Sequence, residues 1–174
     1  MPRCIIWPIT LVSISTLAVE LPNYILTATE FIVLLILSSI PAVAYGLGMA
    51  ALFTSTGIIS DVMPCVDLPL LLMSGAFLRL SSLPPWIYPV KYISHFYYAM
   101  DSISNIYWRQ IDFIDCPSNE TSTCIKDGAG VLLENGYVND FILQDSVGFV
   151  FITMFWCILG YLGLKREEKK GYAY

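Results

Sequence analysis

Few residues in this chain are of a type that could do chemistry, and they fall into three groups. Asp61 and Asp67 lie in or beside a strongly apolar stretch. A carboxylate inside a bilayer is expensive and marks a functional site by default. If the span begins near Val66, Asp61 sits in water and Asp67 at the interface. His95 is the only histidine, which removes His-based metal sites and favours a packed or interfacial role. Cys116 and Cys124 flank Asn119-Glu120-Thr121, the one Asn-x-Ser/Thr sequon. A disulfide closing so short a loop makes sense only in an oxidising compartment, and a glycan is added only on the lumenal side. No P-loop, Gly-x-Ser-x-Gly elbow, His-Glu-x-x-His or Cys-x-x-Cys occurs, so those enzyme classes have no foothold. The glycines of Tyr45-Gly46-Leu47-Gly48 lie within an apolar run and cradle no phosphate. No basic run points to nucleic acid.

The elements that position these residues belong to a membrane. The chain is 56% apolar and only 13% charged, with mean hydropathy +0.67; soluble domains carry roughly 25% charged residues. Spans are expected over residues 31–54, 58–80 and 145–164, each near the roughly 20 residues a crossing needs. Residues 4–27 are a weaker fourth, interrupted by Pro8, Glu20 and Pro22. In residues 31–54, Ser38, Ser39, Ala42, Ala44, Gly46, Gly48, Ala50 and Ala51 form a small-residue face for close helix packing, and Pro41 removes one backbone bond. Residues 55–61 read as a cytosolic turn.

Residues 68–108 are the most unusual stretch. They begin as a span, break at residues 81–85 (Ser-Ser-Leu-Pro-Pro), then continue aromatic through Trp86, Tyr88, Tyr92, Phe96, Tyr97, Tyr98, Tyr107 and Trp108. Irregular backbone at membrane depth survives only when buried in protein or lining a cavity, and Trp and Tyr favour the headgroup level. A re-entrant helical hairpin near the outer surface over residues 81–108 is therefore expected.

Charge sets the orientation. The basic flank at residues 165–170 assigns the tail 165–174 to the cytosol, which puts residues 109–144 outside. Asp112, Asp115, Glu120, Asp127, Glu134, Asp140 and Asp145, against Arg109 and Lys126, account for the whole formal net charge of −5. The resulting class is all-α: a polytopic transmembrane bundle with a re-entrant hairpin and a disulfide-containing extracellular loop. Arg79, near the end of its span, can snorkel outward.

Met73-Ser74-Gly75-Ala76-Phe77-Leu78, then Ser82-Leu83-Pro84-Pro85-Trp86, then residues 91–100 (KYISHFYYAM) resemble the fifth segment and re-entrant region of the G-type (White-like) ABC half-transporters. The cysteine pair around a sequon, residues 130–134, and a final span with a basic tail continue the likeness over about 31–170. The resemblance implies the C-terminal part of an ABC-2 type membrane domain, with residues 1–30 a truncated or atypical third segment.

The same resemblance implies export of a hydrophobic or amphipathic small molecule (lipid, sterol, pigment precursor or xenobiotic) by a homo- or heterodimer of half-transporters. ATP and Mg would act in an ATPase domain outside this chain. It places Pro64, Leu68, Leu71, Ala76 and Phe77 along the pathway or outer gate, Ala76-Phe77 standing where the family has a leucine pair. It also implies a Cys116–Cys124 disulfide and a glycan on Asn119. The expected location is the plasma membrane or an intracellular vesicle membrane, in contact with lipid. No cofactor or metal is expected in this chain. The competing readings are a four-span scaffold or adhesion protein, though the Cys-Cys-Gly loop signature is absent, and an intramembrane enzyme using Asp61 or Asp67.

Overall fold

The computed structural model describes residues 3–18, 23–53, 56–114, 125–137 and 141–171. Among these the regular structure is helical: α1 Arg3–Ala18, α2 Tyr24–Leu52, α3 Thr56–Leu72, α4 His95–Trp108, α5 Gly128–Asn135 and α6 Phe141–Gly171. Two short 3-10 helices, Leu80–Ser82 and Tyr88–Ile93, lie between α3 and α4.

Two helices are long and apolar enough to cross a membrane, α2 over Ile25–Leu52 and α6 over Ile142–Lys169. α2 starts earlier than the bounds read from hydropathy and ends at Leu52, while α6 runs past both of its bounds. Helix α2 begins before Phe31 because Glu30, the residue that limited the apolar run, is simply an exposed position on the helix. Helix α6 carries its basic tail as helix through Lys169. Pro41 is buried without ending α2, and Ser38 and Ser39 bond back to the carbonyls of Leu35 and Ile36 just before it.

α2 and α6 run parallel. Gly48 faces Gly160 with the added Cβ position 3.5 Å from the Gly48 Cα, and Gly163 lies against the Ala51 backbone. Gly48 also receives the Trp156 ring. Lipid tails are as apolar as leucine, so such helices associate by close packing, and small residues permit it. The expected small-residue face is thus narrower than its composition. Gly48 and Ala51 carry the contact, whereas Gly46 has nothing within 4 Å.

α3 ends at Leu72, well before residue 80, because the chain turns there. Gly75 has φ +88, a left-handed conformation that favours glycine. Ser74 is buried and donates to the Leu71 carbonyl. The turn is gripped by α5 and the residues just after it: Arg79 pairs with Glu134, Ser81 donates to the Glu134 carbonyl, and Tyr137 donates to the Ser74 carbonyl at 3.4 Å. The aromatic stretch is partly buried within the protein. Lys91 is fully buried, its Nζ 3.9 Å from the Tyr88 ring centroid and 4.8 Å from that of Tyr97. Such cation–π contacts let an ammonium be buried among rings.

At α2–α6, Gly163→Val drives a side chain into the Ala51 carbonyl and is expected to cost about 1–3 kcal/mol. Gly46→Ala, facing open space, is expected to be neutral. Thermal unfolding of the detergent-solubilised protein reads both; equal effects would contradict this packing.

Candidate functional site

Two polar constellations sit within this apolar bundle. The first joins α2, α3 and α4. The Tyr45 hydroxyl on α2 donates to Asp67 Oδ1 on α3 at 2.6 Å. The His95 ring lies 5.4 Å from the Tyr45 ring and 4.0 Å from Phe96. Trp156 of α6 meets Tyr45 edge-on at 4.7 Å. Asp67 thus has a partner that holds α3 against α2, which offsets the cost of its partial burial. Ser94 adds a second tie to α3, donating to the Leu70 carbonyl at 2.9 Å.

The second constellation is built on α4. Its buried face carries Asp101, Ser102, Ser104 and Asn105. The Asn105 amide donates to the Asp101 carbonyl at 2.9 Å and to its Oδ1 at 3.0 Å. Ser102 donates to Asp145 Oδ2 on α6. Asp145 is 2% exposed, although the sequence reading made it the outer flank of the last span. Further along, Thr27 of α2 donates to Gln110 Oε1 at 2.9 Å. A cavity of about 580 Å3 opens beside this cluster, between the first half of α2, the second half of α4 and the start of α6. The Tyr98 ring fits against Gly148, where any Cβ would lie 2.3 Å from it.

The sequence-derived pathway residues gather elsewhere. Pro64, Leu68 and Leu71 share one face of α3, as i, i+4 and i+7 spacing requires. Pro64 is exposed, Leu68 is 60% exposed and Leu71 half-buried. Ala76 and Phe77 lie in the turn beyond, both exposed, Phe77 at 68%. The structure therefore presents an apolar surface along α3, separate from the α4 cluster. Asp61 is exposed. Cys116, Asn119 and Cys124 lie outside the described residues. Cys65 and Cys157 are free and exposed.

Gly46 and Gly48 fit no nucleotide: both lie inside α2, and Gly48 is covered by Trp156. Among the described residues no cluster of three or more His, Cys, Asp or Glu could hold a metal ion. Sequence reasoning missed Asp101, Ser102, Asn105 and Asp145. The signal was available in the four-residue spacing of Asp101 and Asn105 within an aromatic helix, which places both on one face.

Residues 1–108 match the family described as ABC-2 type transporter. The chain is similar to Protein brown of Drosophila melanogaster, at 33% identity over 143 residues covering 80% of this chain and 20% of the relative. It is similar to Protein brown of Drosophila virilis at 31% identity, with 80% and 21% covered. Protein white of Drosophila melanogaster is 27% identical over 129 residues, covering 73% of this chain and 19% of that protein. The chain thus spans about a fifth of the length of these relatives.

Tyr45→Phe and Asp67→Ala are each expected to cost about 1 kcal/mol, in the range of interhelical hydrogen bonds in membranes. The double variant should be little worse than either single one; full additivity of the melting shifts would contradict the pairing.

Proposed function

The chain belongs to the ABC-2 type transporter family, and from that premise we propose that it forms part of the membrane pathway of an ATP-driven half-transporter. Its cargo is a hydrophobic or amphipathic small molecule, and its energy comes from an ATPase unit outside these 174 residues. The observation that carries the reading is the exposed apolar face of α3, Pro64, Leu68 and Leu71, continued by Ala76 and Phe77. Two membrane-crossing helices together with the family make the chain an integral membrane protein.

In this reading α2 and α6 enter from the outer side and end in the cytosol, the basic end of α6 supporting that direction. α3 then runs outward and delivers its turn to the outer surface, where Arg79 and Ser81 are held by α5. The aromatic segment before α4 is a re-entrant passage, and the loop with Cys116, Asn119 and Cys124 is lumenal, disulfide-bonded and glycosylated. A second half-transporter, identical or not, faces the α3 surface, so that Leu68 and Phe77 line a shared axis instead of lipid. The proteins similar to this chain, named brown and white, support the family and leave the cargo class open.

The α3 assignment is tested by cysteine cross-linking in native membranes. Leu68→Cys, with Cys65 and Cys157 replaced by serine, is expected to cross-link to a second subunit with a short bifunctional reagent. Leu143→Cys, exposed on α6, is expected not to. Cross-linking at 143 without any at 68 would overturn the assignment.

A further inference from the structure

The contact between α4 and α6 brings two carboxyl side chains together inside the protein. Asp101 on α4 is 0% exposed and Asp145 on α6 is 2% exposed. Asn105 donates to Asp101 Oδ1 at 3.0 Å, and Ser102 donates to Asp145 Oδ2. Asp145 Oδ1 receives no amide, hydroxyl or cationic donor, yet the two carboxyls are within hydrogen-bonding reach of each other. Ionised carboxylates carry acceptors only. A hydrogen bond between the two therefore needs a proton held by one of them.

The groups closest to the pair are tyrosines, not cations. The Tyr97 side chain lies within electrostatic reach of both carboxyls, Tyr98 of Asp145, and Tyr137 of Asp101. The Tyr97 hydroxyl is fully buried with no hydrogen-bond partner, so it supplies neither carboxyl with a donor. Before α4, Lys91 is turned to the rings of Tyr88 and Tyr97, and Tyr92 packs edge-on against Tyr97. From α3, Asp67 is engaged by Tyr45 beside His95, at the far end of α4. Glu30 of α2 and Arg109, just over two turns along α4 from Asp101, line the adjoining cavity. On α6 the next charged residue after Asp145 is Lys165, roughly 30 Å along the helix. Two like charges in contact at a buried site do not both persist, and one carboxyl keeps its proton.

We propose that Asp101 and Asp145 form a one-proton site, the acid of one hydrogen-bonded to the carboxylate of the other, and that this proton clasps α4 to α6. Loss of the proton to water breaks the bond between the carboxyls and leaves two negative charges facing each other. α4 then loosens from α6, while α2 and α6 stay joined through Gly48, Gly160 and Gly163. The clasp lies apart from the α3 face and does not depend on the transport reading.

The test uses the full chain in nanodiscs, with aspartate isotopically labelled at its carboxyl carbon, and infrared spectroscopy. A carbonyl stretch of protonated, labelled carboxyl is expected at neutral pH, shifting in heavy water and vanishing on alkaline titration. Asp101→Asn and Asp145→Asn are each expected to remove the same band, because an amide in either place donates to the remaining carboxylate. Asp61→Asn, at an exposed position, is expected to leave it. The clasp is read by hydrogen exchange of the α4 amides, corrected for intrinsic rate. Exchange in the unaltered chain is expected to rise about tenfold or more as the band vanishes, in keeping with the loss of a hydrogen bond to a charged group. In Asp145→Asn, whose amide N–H replaces the proton, it is expected to stay low over the same pH range. No such band in the unaltered chain, a band that survives either substitution in the pair, or α4 exchange that stays flat as the band vanishes would each overturn the proposal. So would an equal rise in the unaltered chain and in Asp145→Asn.

Discussion

Helix α4 must bury a polar face, and the rest of the bundle is arranged around that requirement. Asp101, Ser102 and Asn105 sit on a helix otherwise rich in tyrosine, phenylalanine and isoleucine. Exposed to lipid, that face would leave several hydrogen-bonding groups unmet at a high cost each. The fold answers by lodging α4 against both long helices, with Ser102 bonded to Asp145 on α6 and Gln110 accepting from Thr27 on α2. Where α4 is absent, α2 and α6 close on each other directly through Gly48, Gly160 and Gly163. The two long helices therefore hold α4 along α2 from Tyr45 back to Thr27 and against the start of α6, and hold each other near their ends.

This division explains the behaviour of α3. It packs through few but specific ties: Tyr45 to Asp67, and Ser94 to the Leu70 carbonyl. Its remaining surface is apolar and exposed, with Pro64 and Leu68 facing outward. An element anchored by polar bonds on one side and bare on the other is suited to meeting another surface. The turn after it is not loose, because α5 clamps Arg79 and Ser81. The helix break at residues 81–85 is thus a fastened corner between the exposed helix α3 and the buried helix α4.

The membrane class, the long helices and the family were legible in sequence, because continuous hydropathy and the Met73–Leu78 and Ser82–Trp86 patterns are local signals. Pro64, Leu68 and Leu71 could be placed on one face for the same reason. Helix bounds were less legible. Glu30 looked like an end and proved to be an exposed helical position, while the Gly75 turn stopped α3 inside a run that hydropathy alone extends. The α4 cluster was hardest to see. Asp145 reads as a flank until α4 is packed against it, and partners 43 residues apart, such as Ser102 and Asp145, share no local pattern. Tyr45 likewise shows no sign in sequence of being the partner of Asp67.

The central claim is that this chain supplies part of the path of an ATP-driven exporter. Its most direct test is transport by the longer polypeptide, chain and ATPase unit together, in inside-out vesicles loaded with a fluorescent lipid analogue in the outer leaflet. ATP should drive accumulation of the analogue in the vesicle interior leaflet, and Leu68→Arg, which puts a charge on the α3 face, should abolish it while leaving the protein in the membrane. Accumulation that is independent of ATP, or unchanged by Leu68→Arg, would contradict the account.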